Sequence, residues 1–372
     1  MAQMVLLFFG RVVGSVRATR TPGALDLRAG SIVVIVDFLR RSFSNRPYAP
    51  IILRGATILR DAAPLEAGRV SATMQKDAYI AIVGLGLMGS RLAARLLADG
   101  FRLRGFDPDQ ARLSEFQGGG GEPAGSPSEA VQGCTAALLS LPDAGISREV
   151  CLGTDGISAS GVSPLFVYDT TTGLPRDAQE ISSAMLASGI VYCDSTLSGN
   201  SAVAEQGGLV VMMGGPDEAY RKAQPIFGSI GRSHHHVGPV GSGSRMKLIV
   251  NHVLTIHRMA LAEGLVVAEI ADMDLGTTLA VLKDSLAYSK AMDAWGDRMI
   301  SGDHEMPASR IRQSHKDARL IVEHGLDLGA PVDLVALVRD ALAEGEETGL
   351  ADLDNSAIVE VMRRRANIGR VR

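Results

Sequence analysis

Cysteine is scarce in this chain: Cys134, Cys151 and Cys193 are the 3 among 372 residues, and no two of them stand at metal-ligand spacing. That excludes a disulfide framework and a thiolate metal site, and reads as reduced thiols in a cytoplasmic protein. Long hydrophobic runs are also missing. No stretch approaches the ~18 apolar residues that would span a bilayer. Positive charge is not in excess: a net charge of −4 removes the general electrostatic case for a nucleic acid or an anionic membrane as partner.

Lysine is absent from residues 1–73, which hold ten Arg and four acids (Asp26, Asp37, Asp61, Glu66), or +6 against −10 for the remainder. Apart from the runs "VLLFF" and "SIVVIVDFL", this segment lacks helical or strand periodicity, and it lacks the pattern of a signal peptide. Residues 1–73 are therefore expected to be an N-terminal extension, either disordered or upstream of a true start at Met74. A transit peptide is the alternative for so Arg-rich and acid-poor a leader.

What remains is the composition of a soluble globular protein, 46% apolar and 21% charged, with length enough for two domains. The stretch "YIAIVGLGLMGSRLAARLLADG" (79–100) reads as strand, glycine turn and helix. Its loop Gly84, Leu85, Gly86, Leu87, Met88, Gly89 has the spacing GxGxxG. There Gly84 permits the tight turn, Gly86 lets the backbone approach a pyrophosphate, and Gly89 lets helix and strand pack closely. The helix is expected to bury Leu92, Leu96 and Leu97. A second strand in "FRLRGFDPDQ" ends at Asp107, 23 positions past Gly84, where a ribose-binding carboxylate belongs. A carboxylate there accepts from a ribose 2′-OH and repels a 2′-phosphate, so NAD is the expected cofactor. Arg102 and Arg104 keep NADP open, and a helix-capping role for Asp107 in "DPDQARL" is the bland alternative.

Strands follow at "AALLSLPD", "LFVYDTTTG", "IVYCDSTLSG" and "GLVVMMGG", at the spacing of an alternating α/β sheet, and "GRSHHHVG" (231–238) reads as the way out of this domain. His234, His235 and His236 are not expected to hold a metal, because adjacent residues of an extended chain point to opposite faces. From about Ser244 to Ala271 the pattern is one long helix, apolar nearly all round, hence buried in a domain centre or between subunits. More helices run to residue 361. The fold class is an α/β Rossmann-type doubly wound domain (74–242) followed by an all-helical domain (243–372) with a long interdomain helix.

The ordered motifs "GLGLMG", "SLPD", "DTTTGLP", "DSTLSGNSAVAEQGGLVVMMGG", "GPVGSGSRMKLIVN" and "HKDARL" resemble the β-hydroxyacid dehydrogenases, a family that includes 3-hydroxyisobutyrate dehydrogenase and tartronate semialdehyde reductase. The resemblance runs from residue 78 to about 362. It implies a catalytic lysine at Lys247, substrate contacts at Ser198, Gly199, Asn200 and Asn251, and cofactor contacts at Leu141, Pro142, Thr172 and Lys316. It departs from the family at Asn200, where a second glycine is usual, at Val250 of the usual Asn-Asn pair, and at Thr196, where a proline is familiar.

The chemistry of these residues agrees. Lys247 and Asn251 are four apart and share one helix face. Partial desolvation near a helix N-terminus lowers an ammonium pKa, which suits a general acid or base near neutral pH. The expected activity is hydride transfer between a nicotinamide cofactor and a small 3-hydroxy acid or its semialdehyde, in a homodimer or homotetramer. The alternatives are a 6-phosphogluconate-type decarboxylating dehydrogenase, whose histidine three places after the lysine is here Val250, an imine reductase, and a non-catalytic dinucleotide-binding scaffold. Residues 74–372 alone should match the full chain in melting temperature and activity; a large loss of Tm on truncation would show that residues 1–73 pack on the fold.

Overall fold

The computed structural model describes residues 78–368, so the expectations for residues 1–73 lie outside the described residues. The described residues begin with β1 (Tyr79–Val83), whose side chains alternate between two apolar layers: Ile80 and Ile82 join one core, Ala81 and Val83 another. A strand buried on both faces has to be apolar throughout, and helices must cover both sides. They do so in order: α1 (Gly89–Ala98), β2 (Arg102–Phe106), α2 (Gln110–Gly118), β3 (Glu122–Pro123), α3 (Pro127–Ala130), β4 (Cys134–Leu139), α4 (Ala144–Leu152), β5 (Leu165–Asp169), α5 (Pro175–Leu186) and β6 (Ile190–Ser198). Then come α6 (Ser201–Glu205), β7 (Leu209–Gly214), α7 (Asp217–Ile230) and β8 (Gly231–Gly238).

The strand order is β3-β2-β1-β4-β5-β6-β7-β8. Strands β1 to β6 are parallel, β7 runs antiparallel to β6, and β8 is parallel to β7. The order reverses between β1 and β4, the switch point at which a doubly wound sheet opens a crevice for ligands. In α1, Leu92 and Leu96 are fully buried, while Leu97 is only partly so.

One sequence expectation changes here. Segment 231–238 does not lead out of the sheet but forms its edge strand β8. There the histidines serve aromatic packing: Tyr220 stacks on His236 and its hydroxyl meets His234 Nδ1 at 2.8 Å.

The long helix is α8 (Ser242–Ile270). One side of it packs into a helical core with α9 (Leu275–Asp284), α10 (Lys290–Ser301), α11 (Ile311–Asp327), α12 (Asp333–Glu347) and α13 (Ile358–Arg365). Leu248, Leu261, Ala262 and Leu265 lie in that core, against Ile311, Val335, Leu342 and Val361. Each buried Leu, Ile or Val side chain among these contributes about 1.5–3 kcal/mol by leaving water. The opposite stripe, Ile249, Val253, Val267 and Ile270, is half or more exposed in the single chain, so within one subunit α8 is covered along one side.

What fixes the start of α8 is a carboxylate from the sheet. Its N-cap is Gly241, at φ +93°, which has no side chain to satisfy the helix's free N–H groups. Asp194 of β6 supplies the acceptor: Oδ1 takes the Gly241 N–H at 2.8 Å and Oδ2 the Ser244 N–H at 2.7 Å. The helix also touches the sheet backbone to backbone, since a Cβ on Gly243 would lie 2.1 Å from the Asp194 carbonyl oxygen. Burial raises the Asp194 pKa to about 6, even though the hydrogen bonds pull it down.

Asp194→Ala orphans two buried donors and should cost about 2–3 kcal/mol, several degrees of Tm. With a folded pKa of about 6, above its unfolded value, Asp194 adds stability as pH falls through 6 toward ~4. The gap in Tm between wild type and the alanine variant should therefore be wider at pH 5 than at pH 7.5. An unchanged Tm, or a gap that narrows on acidification, would contradict this account.

Candidate active site

The glycine loop closes over the switch point. Gly84 sits at φ +90°, and an added Cβ would lie 2.2 Å from Ser140 O; one on Gly89 would lie 1.9 Å from Gly84 O. Those two glycines are required by the fold itself. Gly86 is different: among the described residues, a Cβ there would meet only Arg112 Nη1, at 3.9 Å. No side chain caps α1 and no acid stands in its first turn, so its positive end is open toward the loop. An open glycine before an uncapped helix N-terminus fits a dinucleotide diphosphate.

Asp107 follows β2 directly and is buried. Its Oδ2 accepts the Leu85 N–H at 2.7 Å and its Oδ1 the Asp109 N–H at 3.0 Å. The helix cap in this stretch is Asp109, which accepts from Ala111. Arg102 and Arg104 do not approach Asp107. Arg102 lies over the Tyr79 ring, at the far end of β1, and Arg104 is tied to Glu122. The cation at Asp107 is instead Arg112, 3.4 Å from both carboxylate oxygens. Sequence reading missed it, although its place in the first turn of α2 could have been found from helical spacing.

At the other end of the crevice, Lys247 lies in the second turn of α8, on the side facing β6. Its Nζ donates to Leu197 O at 2.6 Å, immediately before Ser198. Gly199 follows at φ +136°, packed on Leu209 and Val203. The Asn200 side chain caps α6 by accepting the Val203 N–H at 3.0 Å, so that oxygen already has a partner. One turn past Lys247, Asn251 Nδ2 donates to Asp317 Oδ2 at 2.9 Å. Lys316 Nζ reaches across to Pro142 O at 3.2 Å and Thr172 O at 3.3 Å, and lies 3.4 Å from Asp317 Oδ1. Leu141 donates its N–H to Thr171 Oγ1.

The structure thus brings Lys247, Asn251 and Lys316 together around Asp317, with Ser198 beside the lysine and Pro142 and Thr172 at the strand ends. Asp317 was not singled out from sequence, where it is merely the neighbour of Lys316. Burial lowers the Lys247 pKa; the Asp317 carboxylate pulls it back up, and the Lys316 cation pushes it down. A lysine with a lowered pKa and two N–H groups left after Leu197 can exchange a proton with a bound oxygen. No group of three or more His, Cys, Asp or Glu able to hold a metal occurs among the described residues. The three cysteines are buried free thiols.

Comparison with known proteins adds to this geometry. A model of the NAD binding domain of 6-phosphogluconate dehydrogenase matches residues 79–238. One for the NAD-binding part of NADP-dependent 3-hydroxyisobutyrate dehydrogenase matches residues 241–362. The NAD-dependent L-serine dehydrogenase of Pseudomonas aeruginosa is 30% identical over 58% of this chain and 72% of its own length. The 2-(hydroxymethyl)glutarate dehydrogenase of Eubacterium barkeri is 27% identical over 77% of this chain and 96% of its own. A crystal structure of 3-hydroxyisobutyrate dehydrogenase from Salmonella typhimurium superposes with a TM-score of 0.71 at 25% identity, covering 77% of this chain and all of that one.

Because Asp317 holds the Lys247 pKa up, Asp317→Asn should lower the pH at which Lys247 releases its proton. Titration of the ¹³C-dimethylated lysine by NMR would measure this, and an upward or absent shift would refute the assigned coupling.

Proposed function

Given that the chain belongs to the β-hydroxyacid dehydrogenase family, and is an NAD(P)-dependent oxidoreductase of hydroxy acids, we propose that Lys247 is its general acid and base. The substrate in this reading is a small 3-hydroxy acid or the matching semialdehyde. The observation that carries it is the position of Lys247 Nζ, bonded to Leu197 O beside Ser198 and desolvated enough to lower its pKa. The nicotinamide ring, when bound, supplies or accepts the hydride. In the oxidative direction the neutral amine of Lys247 takes the substrate hydroxyl proton, while one N–H remains on Leu197 O. In the reductive direction the ammonium returns a proton to the carbonyl oxygen.

Ser198 Oγ and the backbone N–H groups at Gly199 and Asn200 anchor the substrate carboxylate, which fixes the reacting carbon in the crevice. Asn251, oriented by Asp317, donates to the substrate oxygen in the same role. Gly84, Leu85, Gly86, Leu87, Met88 and Gly89 hold the diphosphate, and Leu141, Pro142, Thr172 and Lys316 line the nicotinamide end. Asp107 takes the ribose hydroxyls, making NAD the preferred cofactor. Residues 74–242 form the cofactor-binding domain and 243–372 the substrate and dimerisation domain. The exposed apolar stripe of α8 supports a homodimer or homotetramer, and the buried free thiols support a cytoplasmic location. Among the described residues no helix is long and apolar enough to cross a membrane.

Lys247→Ala should lower kcat and kcat/KM for oxidation at least ~10²-fold, with NAD affinity retained. The wild-type rate should rise with pH along a limb below the ~10.4 of a free lysine, and the limb should vanish in the variant. Lys247→Arg should not rescue, since guanidinium stays protonated. Near-normal turnover in Lys247→Ala would remove the lysine from the mechanism.

A further inference from the structure

We propose that Ser147 binds one buried water molecule which, through Asp169, sets the strand-end loop at the nicotinamide end of the crevice. Ser147 is then a positioning residue for the cofactor. The inference rests on the reading of the crevice as the nicotinamide dinucleotide site. Its starting point is an orphaned atom. Ser147 of α4 is 1% exposed, and among the described residues its Oγ has no hydrogen-bond partner. A buried hydroxyl left that way is costly, and such groups are nearly always paired, with protein or with ordered water.

Ser147 lines a cavity of about 10 Å³ together with Asp169, Thr171, Asp177, Tyr192 and Ser244. That is the room one water needs, provided roughly two to four polar partners surround it. Asp169 is one. Its Oδ1 accepts the Thr171 N–H at 2.8 Å and its Oδ2 the Tyr192 hydroxyl at 2.8 Å. A carboxylate has about four acceptor sites, so capacity remains for a third donor. The water accepts from the Ser147 hydroxyl and donates to Asp169.

Charge decides that the occupant is neutral. The cavity lies at the first turns of three helices: Ser147 comes from α4, Asp177 from α5 and Ser244 from α8. Their positive ends oppose a cation. The carboxylates of Asp169 and Asp177 oppose an anion. A molecule that both donates and accepts satisfies both sides. From Asp169 the link to the cofactor is short. Asp169 ends β5 and holds the Thr171 N–H, and Thr171 Oγ1 accepts the Leu141 N–H at 3.2 Å. Leu141, Pro142 and Thr172 line the nicotinamide end in the reading above. A water fixed between Ser147 and Asp169 therefore steadies that end, whereas the diphosphate loop stands on β1 and α1 and does not depend on it.

Ser147→Ala in the full chain tests this, because the two accounts of the hydroxyl differ in sign. Removing a hydroxyl that lacks any partner should raise Tm. Removing one that holds a water should lower Tm, by about 2–4 °C. Calorimetric titration with NADH and with ADP-ribose, which lacks the nicotinamide, then separates the two ends of the crevice. The variant should weaken NADH at least about threefold and ADP-ribose hardly at all. A crystal structure of the full chain should show one water within hydrogen-bond distance of Ser147 Oγ and an Asp169 oxygen. A raised or unchanged Tm, equal losses for the two ligands or none for either, a Ser147 Oγ turned onto the Asp143 carbonyl, or a metal cation in the cavity would each overturn the proposal. Failure of ADP-ribose to bind the wild type would overturn the cofactor-site reading, and the positioning role with it.

Discussion

The contact between Asp194 and the first turn of α8 governs the geometry of the whole crevice. A long helix beginning at a glycine needs acceptors for its free N–H groups, and the sheet provides them from a strand some fifty residues earlier. Gly243 and Gly214 let the two backbones close to a distance that any Cβ would prevent: one on Gly214 would lie 2.5 Å from Asp194 Oδ1. Thr196 Oγ1 adds a bond to Gly243 O at 2.9 Å. These contacts pin α8 to the end of β6, and Lys247, three residues past Ser244, inherits its place against Leu197 from them. Burying a carboxylate is costly unless it is hydrogen-bonded. Here the cost remains visible in a pKa raised to about 6.

From Lys247 onward the polar groups form a chain across the crevice. Asn251 leads to Asp317, Asp317 to Lys316, and Lys316 to the carbonyls at Pro142 and Thr172. The chain ties α11 to the ends of β4 and β5, and Arg176 of α5 strengthens the tie through its pairs with Glu323 and Asp327. On α8, Arg258 lies buried three turns beyond Lys247, bonded to Thr255 and stacked over Trp295. Burial lowers its pKa to about 10, against the pull of Asp354 and Asp317. The Asp317 carboxylate thus favours the charged form of both Lys247 and Arg258.

The cofactor end works by a different economy of contacts. Asp107 is at once a brace for the glycine loop, through Leu85, and an acceptor at the end of β2. One carboxylate fills both roles, and the cation over it comes from the following helix rather than from its own strand.

The sequence by itself determined the elements and their order. A glycine loop between an apolar strand and an amphipathic helix, parallel strands with apolar runs, and a long helix carrying Lys247 and Asn251 one turn apart are all local patterns. Local backbone preference and side-chain periodicity are enough to produce them. The ordered motifs likewise pointed to the family. Only the tertiary structure decided which groups meet. It made β8 an edge strand, because Tyr220 and β7 offer the histidines partners that their own run does not reveal. It moved the cation at Asp107 from Arg102 and Arg104 to Arg112, because strand side chains alternate while a first-turn helical side chain leans back. It divided the apolar surface of the long helix, burying one side in the helical core and leaving Ile249, Val253, Val267 and Ile270 exposed in the single chain. Asp194 and Asp317 carry no mark in the sequence around them, since their partners lie 47 to 66 residues away, and hydrogen bonds at that separation exist only once the chain has folded.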